Sequence, residues 1–184
     1  VVNKEKIKKR FDEDFVGFHF YDVSFCLLNY LENVKIGLTT QFKITHKSVG
    51  MVNEQWNINK LQFEDKFKDN LPIRLTNNKT FEERLEFNPD TIGVWMVTYN
   101  AEDRIKKSAF TIPKWIKNFV IVNDGTPYSV GSYPENAYII QHNINKSVGM
   151  AKNSAIDYLM NLGCEHIFLI EDDILIKDEN VFKE

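Results

Sequence analysis

Three short polar runs carry the residue types that could do chemistry: Thr98-Tyr99-Asn100, Asn123-Asp124-Gly125-Thr126 and Glu171-Asp172-Asp173. Each directly follows an apolar run, VWMV, FVIV and IFLI in turn. Adjacent carboxylates repel one another, so a triplet such as Glu171-Asp172-Asp173 behind an apolar run calls either for full solvation or for a cation that neutralises it. Hard oxygen ligands of this kind suit Mg²⁺ or Mn²⁺ shared with a diphosphate. The Asn-Asp-Gly-Thr run taken alone is ordinary turn chemistry. Chemistry would follow only if the elements behind these runs bring them to one place.

From residue 91 onward those elements alternate. TIGVWMVTY, NFVIV, AYIIQHN and CEHIFLIEDDI read as strands, while AEDRIKKSAFTIPKWI and SVGMAKNSAIDYLMNLG read as helices, the second with a glycine stop. Strands that are continuously apolar and separated by helices predict an α/β fold with a parallel sheet covered on both faces. Ligands of such sheets bind beyond the carboxyl ends of the strands, where all three polar runs fall.

The first 70 residues have a different texture. Phe15, Phe18, Tyr21 and Phe25 recur at helical spacing, and residues 23–31 read as an amphipathic helix. VKIGLTTQFKITH, residues 34–46, alternates like a strand or hairpin, and residues 53–70 form a second helical pattern that stops before Pro72. Residues 71–90 are polar, hold two prolines and the pair Asn77-Asn78, and read as a linker carrying one short helix near residues 81–85. The expected organisation is therefore a smaller α+β segment at 1–70, a linker at 71–90 and an α/β unit at 91–184.

Composition narrows the classes. With 184 residues, 43% of them hydrophobic, the chain buries a core without needing a disulfide or metal staple. Cys26 and Cys164 sit in apolar surroundings, without CxxC spacing, and read as reduced core thiols in a cytoplasmic protein. A net charge of −3, with both signs spread along the chain, argues against nucleic acid as a partner. No apolar run approaches the ~20 residues of a membrane helix, which leaves peripheral association with the inner membrane face as the closest contact with lipid. The chain starts at Val1 rather than Met, as expected of a piece of something longer.

Taken together, VTYN, IVNDGT, NKSVGMAKNSAI and FLIEDDI, in that order over residues 91–184, resemble the nucleotide-binding half of a GT-A (Rossmann-like) glycosyltransferase of the family 2 type, FLIEDDI standing as the DxD-type motif. The resemblance implies that Thr98 and Asn100 line the nucleotide pocket and that Asp124 accepts from the base. It further implies that Gly149 and Lys152 flank the nucleotide or its phosphates, that Glu171 or Asp172 faces the ribose, and that Asp173 holds Mn²⁺ or Mg²⁺. Lys152 stands where many relatives carry arginine, and lysine lacks the planar fork that makes a bidentate contact.

Residues 11–27, FDEDFVGFHFYDVSFCL, resemble the later half of such an enzyme, where an acidic pair precedes a helix. Asp22 then becomes the general base that deprotonates the acceptor hydroxyl; Tyr21 stands in place of the first acid and Ser24 in place of an aspartate. Asp12 and Glu13 would touch the acceptor or cap the helix. ITHKSVG resembles the late segment whose histidine completes a metal site, which makes His46 a second metal ligand.

The halves stand in reverse order. A window across two tandem transferases, a circularly permuted domain and a chance match of motifs are the competing explanations. The first accounts for the non-Met start, the polar linker and the end soon after FLIEDDI. In the second, the halves pack together with Asp22 and His46 facing Asp173. The expected activity is metal-dependent, inverting transfer of a sugar from a UDP- or GDP-sugar to a glycan or to a protein- or lipid-linked acceptor, in polysaccharide or glycan assembly. A non-catalytic nucleotide-binding module is the rival from another class. A sugar-phosphate nucleotidyltransferase would carry a glycine-rich loop after the first strand, and TYNAEDRIKK has no glycine. GxGxxG and GxSxG are both absent, which removes dinucleotide oxidoreductases and α/β hydrolases.

Overall fold

A computed structural model describes residues 2–3, 5–37, 52–71 and 88–182. Four parallel strands make the sheet: β2 (Ile92–Thr98), β3 (Asn118–Asn123), β4 (Ala137–Gln141) and β5 (His166–Leu169). A two-residue β1 (Val2–Asn3) pairs antiparallel with β5, and the order across the sheet is β1-β5-β2-β3-β4. In register, Trp95 lies beside Val120 and Leu169, and Val120 beside Tyr138. The chain moves outward from β2 through β3 to β4 and then crosses back to place β5 on the other side of β2. The strand order therefore reverses between β2 and β5, the position at which such sheets bind ligands beyond their carboxyl ends.

Every residue of β2 is buried, as a strand needs when both faces of its sheet are covered. On one face, α3 (Glu102–Ser108) and the 3₁₀ turn Ala109–Thr111 lay Ile105, Ala109, Ile112 and Ile116 over Val94, Met96, Phe119 and Ile121. Pro113 stops this helix, so the segment expected to be helical to residue 116 is shorter than its apolar spacing predicts. On the other face, α4 (Val148–Asn161) presses Ala151, Ala155, Ile156 and Leu159 against Trp95, Val97, Val120 and Val122. Gly93 makes that packing close: a Cβ there would lie 3.0 Å from the Cys164 sulfur and 3.1 Å from Leu159.

The first segment completes the α4 face. Helix α1 (Tyr21–Leu31) begins two residues before the position expected, and α2 (Glu54–Lys66) is capped by Asn53, whose side chain accepts from the Trp56 N–H. Phe11, Phe15, Tyr21, Leu27, Phe63 and Phe67 join the same cluster as Trp95 and α4, so residues 11–67 and 95–167 share one core. Phe18 and Leu61, which the helical spacing also pointed inward, are exposed. Cys26 is exposed as well, contrary to the core thiol expected, because α1 turns Tyr21, Ser24 and Leu27 inward and leaves Cys26 outside that stripe; Cys164 is buried. Residues 34–37 have no regular structure, so the strand expected over 34–46 is not formed in its described part. Residues 38–46, and 72–87 of the expected linker, lie outside the described residues.

Between residues 5 and 20 the backbone is irregular, and three buried asparagines satisfy it. Asn29 accepts from the N–H groups of Lys8 and Lys9 and donates to the Lys9 and Phe25 carbonyls. Asn59 donates to the carbonyls of Val16 and His19. Asn153, on α4, accepts from the Phe11 N–H at 3.0 Å and donates to the Phe11 carbonyl and to Glu13. Removing that last side chain strands a buried N–H and a buried C=O at once. We expect Asn153→Ala to cost about 2–3 kcal/mol in denaturant unfolding. Because the core is shared, the loss should appear as a shift of one cooperative transition; a separate early transition confined to the first segment would contradict it.

Candidate functional site

At the carboxyl end of β2, Thr98 is buried and its hydroxyl lies 2.9 Å from the Tyr128 hydroxyl. Tyr128 also accepts from the Ala101 N–H at 2.7 Å, and the Thr98 hydroxyl draws on the Asp172 carboxyl from the other side. Asp172, at the end of β5, also lies 3.5 Å from Arg104 of α3. Burial raises the Asp172 carboxyl above the ordinary aspartate range, and the opposing pull of Arg104 and Thr98 does not cancel it. Thr98, at the end of β2, thus links to Tyr128 and to Asp172 beyond β5.

The loop carrying Tyr128 is fastened to α3. The Glu102 carboxylate accepts from the Ser129 N–H and hydroxyl, from the Ser132 hydroxyl, and from Lys106. Those bonds, Ser129 and Ser132 foremost, hold the Glu102 carboxyl down to about 2.

A cleft of about 400 Å³ opens over the ends of β2, β3 and β4. Its walls include Tyr99, Asn100, Gly125, Thr126, Gln141 and His142, and no Asp, Glu, Lys or Arg lines it. Asn100 takes a left-handed φ of 48° and its side-chain oxygen accepts from the Thr126 N–H at 3.1 Å. The two loops touch so closely that a Cβ on Gly125 would lie 2.6 Å from the Asn100 oxygen. Gln141 donates to the carbonyls of Gly125 and His142, at 2.7 and 2.8 Å, and squares off the third side. An uncharged wall of amides with one half-exposed tyrosine suits a neutral, planar, hydrogen-bonding group better than a phosphate.

Asp124, expected to accept from a base, lies behind this wall. It is 2% exposed; one oxygen receives both the His142 Nδ1, at 2.6 Å, and the Lys146 N–H, at 3.0 Å. His142 Nε2 in turn lies 3.2 Å from the Ser154 hydroxyl on α4.

A second group gathers where α4, α1 and the end of β5 meet. Lys152 is 0% exposed, and its Nζ lies 2.7 Å from Glu171 Oε1. Three rings surround that ammonium, with centroids 4.2 Å away for Tyr21, 5.5 Å for Phe11 and 5.7 Å for Trp95. Burial pulls the Lys152 ammonium below the usual lysine range, and Glu171 and Asp22 pull the other way. The Tyr21 phenol is pushed far above its ordinary range, first by burial and then by the charges of Glu171, Asp22 and Asp173. Asp22, exposed in the first turn of α1, therefore acts electrostatically on the same phenol as the acids of β5. Gly149 is buried under the first segment, where a Cβ would meet the Asp12 carbonyl at 3.2 Å. Asp12 itself accepts from Ser24 and pairs with Lys66 at 2.6 Å, so it neither caps α1 nor faces solvent.

Of the expected site residues, Thr98, Glu171, Asp172, Asp173, Lys152 and Asp22 come to one end of the sheet, and Asn100 lines the adjoining cleft. Asp124 and Gly149 sit a layer behind, and His46 lies outside the described residues. Among the described residues no group of three or more His, Cys, Asp or Glu side chains is arranged to hold a metal. Sequence reasoning passed over His142, Tyr128 and Arg104. His142 carried a usable signal, since it follows β4 at the same level as the other strand tips; Arg104 and Tyr128 carried none.

Two outcomes test this geometry. Ser147, at the start of α4, holds φ 82° and ψ 157°, a region open almost only to glycine. Ser147→Gly should stabilise the fold by about 1 kcal/mol, the strain released outweighing the added freedom of the unfolded chain, as read from the denaturant midpoint. Glu102 provides the pH test. Its carboxyl is depressed from 4.5 to about 2 in the folded state, so its stabilisation is complete above the higher value and is lost as pH falls toward the lower. The stability difference between the natural protein and Glu102→Gln should therefore be flat above pH ~5 and shrink through that window; a difference unchanged down to pH ~2 would contradict the anchoring.

Comparison with protein-family models, with curated proteins and with solved structures finds no match to this chain.

Proposed function

We propose that this chain carries the site of a GT-A-type glycosyltransferase, which moves a sugar from a UDP- or GDP-sugar to a hydroxyl of a glycan or of a protein- or lipid-linked acceptor. The observation that supports this reading is geometric: Tyr21, which precedes Asp22 on α1, packs 4.2 Å from the Lys152 ammonium, and that ammonium pairs at 2.7 Å with Glu171 at the end of β5. In this reading Asp22 is the base from one half of the chain and Glu171–Asp173 the donor-side acids from the other.

In this reading the nucleobase enters the uncharged cleft beside Tyr99 and Asn100, and the ribose and diphosphate run toward Glu171 and Asp173. Asp22, exposed at the start of α1, takes the proton of the acceptor hydroxyl. The oxygen freed of its proton attacks the anomeric carbon, and the nucleoside diphosphate leaves from the opposite face with the bonding electrons, which inverts the centre. A divalent cation, if bound, would neutralise charge on the leaving diphosphate. On the family resemblance Asp173 is the acid that would hold it; Glu171 and Asp172 pair with Lys152 and Arg104.

The Arg104–Asp172 pair favours the second reading, a nucleotide-binding module without catalysis, because it satisfies an acid that a transferase would turn on its donor. As to membranes, no helix among the described residues is long and apolar enough to cross one.

Calorimetric titration of UDP and GDP, with and without Mn²⁺, tests the reading. Binding of at least one nucleotide is expected, and Asp173→Asn should abolish any gain in affinity that Mn²⁺ gives. Asp22→Asn should retain nucleotide binding while transfer to added acceptors falls by about 10²–10⁴. Absence of binding to either nucleotide under all conditions would overturn the proposal. Binding without any transfer would leave the module reading in its place.

A further inference from the structure

Lys152 is fully buried on the second turn of α4, and its ammonium has one charged partner and three aromatic neighbours. With 1% of its side chain exposed, no phosphate can reach it unless the first segment lifts off α4. Its partner is different: the Glu171 side chain is 28% exposed and stands at the end of β5. One end of this ion pair is sealed in the core and the other is partly open to solvent beyond β5. The seal is made from across the chain, Tyr21 at 4.2 Å being the nearest of the three rings. Tyr21 and Lys152 are also two positions at which this sequence departs from the pattern it resembles, and in the fold they touch.

A carboxylate that accepts hydrogen bonds from ribose or sugar hydroxyls beside a diphosphate faces a difficulty, since its own charge repels the phosphates. A cation fixed behind it, out of the ligand's reach, removes the repulsion without competing for the phosphates or being displaced by them. Burial makes such a cation effective, because water does not screen it. The ring faces of Tyr21, Phe11 and Trp95 hold it in place and offset part of its desolvation.

We propose that Lys152 is a positioning residue and not a ligand contact: caged by Tyr21, Phe11 and Trp95, it is the fixed counter-charge that makes Glu171 the acceptor for the ribose hydroxyls of a nucleoside diphosphate. This rests on the nucleotide reading above and chooses Glu171 over Asp172 for that contact. Asp172 is held by Arg104 and Thr98 and is more deeply enclosed, with 12% of its side chain exposed.

The test uses the full chain, with uridine diphosphate and its 2′,3′-dideoxy analogue as probes. The natural protein should prefer the ribose form by at least tenfold. Lys152→Met should lose that preference, through weaker binding of UDP with little change for the analogue, and Glu171→Gln should do the same. The double variant should be no worse than either single one, because Lys152 acts only through Glu171. The unfolding midpoint of Lys152→Met should hold or rise, since an apolar side chain replaces a buried charge while Glu171 can turn to water. Tyr21→Phe keeps the ring and should keep the preference; Tyr21→Leu should lose a part of it.

A purely structural lysine would give another pattern: a lowered midpoint, with both probes weakened alike. That result, or a ribose preference surviving in both Lys152→Met and Glu171→Gln, overturns the inference alone. Should Lys152→Met fail to fold, Glu171→Gln carries the same comparison. Failure of the natural protein to bind either probe, or GDP and its 2′,3′-dideoxy analogue in their place, overturns the nucleotide reading and this inference with it.

Discussion

A parallel sheet whose central strand is buried on both faces cannot stand with one of them bare, and the rest of the fold answers to that constraint. The face under α3 is closed by the residues that follow β2 together with Ile170 and Phe182 from beyond β5. The other face is wider than α4 alone can cover, because Trp95 and the valines of β2 and β3 extend beyond Ala151, Ala155 and Leu159. Phe11, Phe15, Tyr21, Leu27, Phe63 and Phe67 supply the remainder. Each such burial contributes about 1.5–3 kcal/mol, so together they weigh as much as the ~5–15 kcal/mol net stability of a domain. The first segment is therefore part of the α/β body in energetic terms, whatever its place in the order of motifs.

Recruiting an irregular segment as a cover brings a second demand. Helices and strands satisfy their own backbone, whereas residues 5–20 lie largely outside both, so side chains must complete their hydrogen bonds. Asn29, Asn59 and Asn153 do so from three different helices, each engaging the backbone at a residue distant in sequence. A short amide is suited to this because it donates and accepts from one planar group. The same asparagines fix where Phe11 and Tyr21 lie, and through them the cage around Lys152.

How much of this the sequence discloses follows from the range of the forces involved. The four parallel strands and α2, α3 and α4 were legible because each is announced by an apolar run or period within its own length. The gathering of Thr98, Glu171 and Asp172 at one end followed from reading the sheet as parallel, whereas the order of its strands, and with it the reversal between β2 and β5, did not. What could not be read depends on contacts between distant residues. Lysine is by default a surface residue, and Lys152 is buried only because Phe11 and Tyr21 arrive from more than a hundred positions away. Asp124 looked like a ligand contact because its strand-end position is right; His142, brought beside it by the next strand, takes its oxygen and moves it a layer back. Cys26 sits among apolar neighbours in sequence, but helical geometry gives only one stripe of α1 to the core.

Two cations of the protein itself govern the acid-lined end of β5, and they differ in kind. Arg104 is 57% exposed and bridges to Asp172 at 3.5 Å, a contact that solvent and salt weaken and an incoming ligand could exchange. Lys152, sealed in the core, cannot be exchanged without opening the shared core that stabilises the fold. The triplet Glu171-Asp172-Asp173 thus contains one permanently balanced carboxylate and one exchangeably balanced one, with Asp173 beside them near Tyr21. Repulsion among adjacent acids, which the sequence alone presents as a problem for an external cation, is largely resolved inside the fold. What remains for a ligand at this end is a graded field with its fixed part set by α4, and the uncharged cleft next to it adds hydrogen bonds without altering that balance.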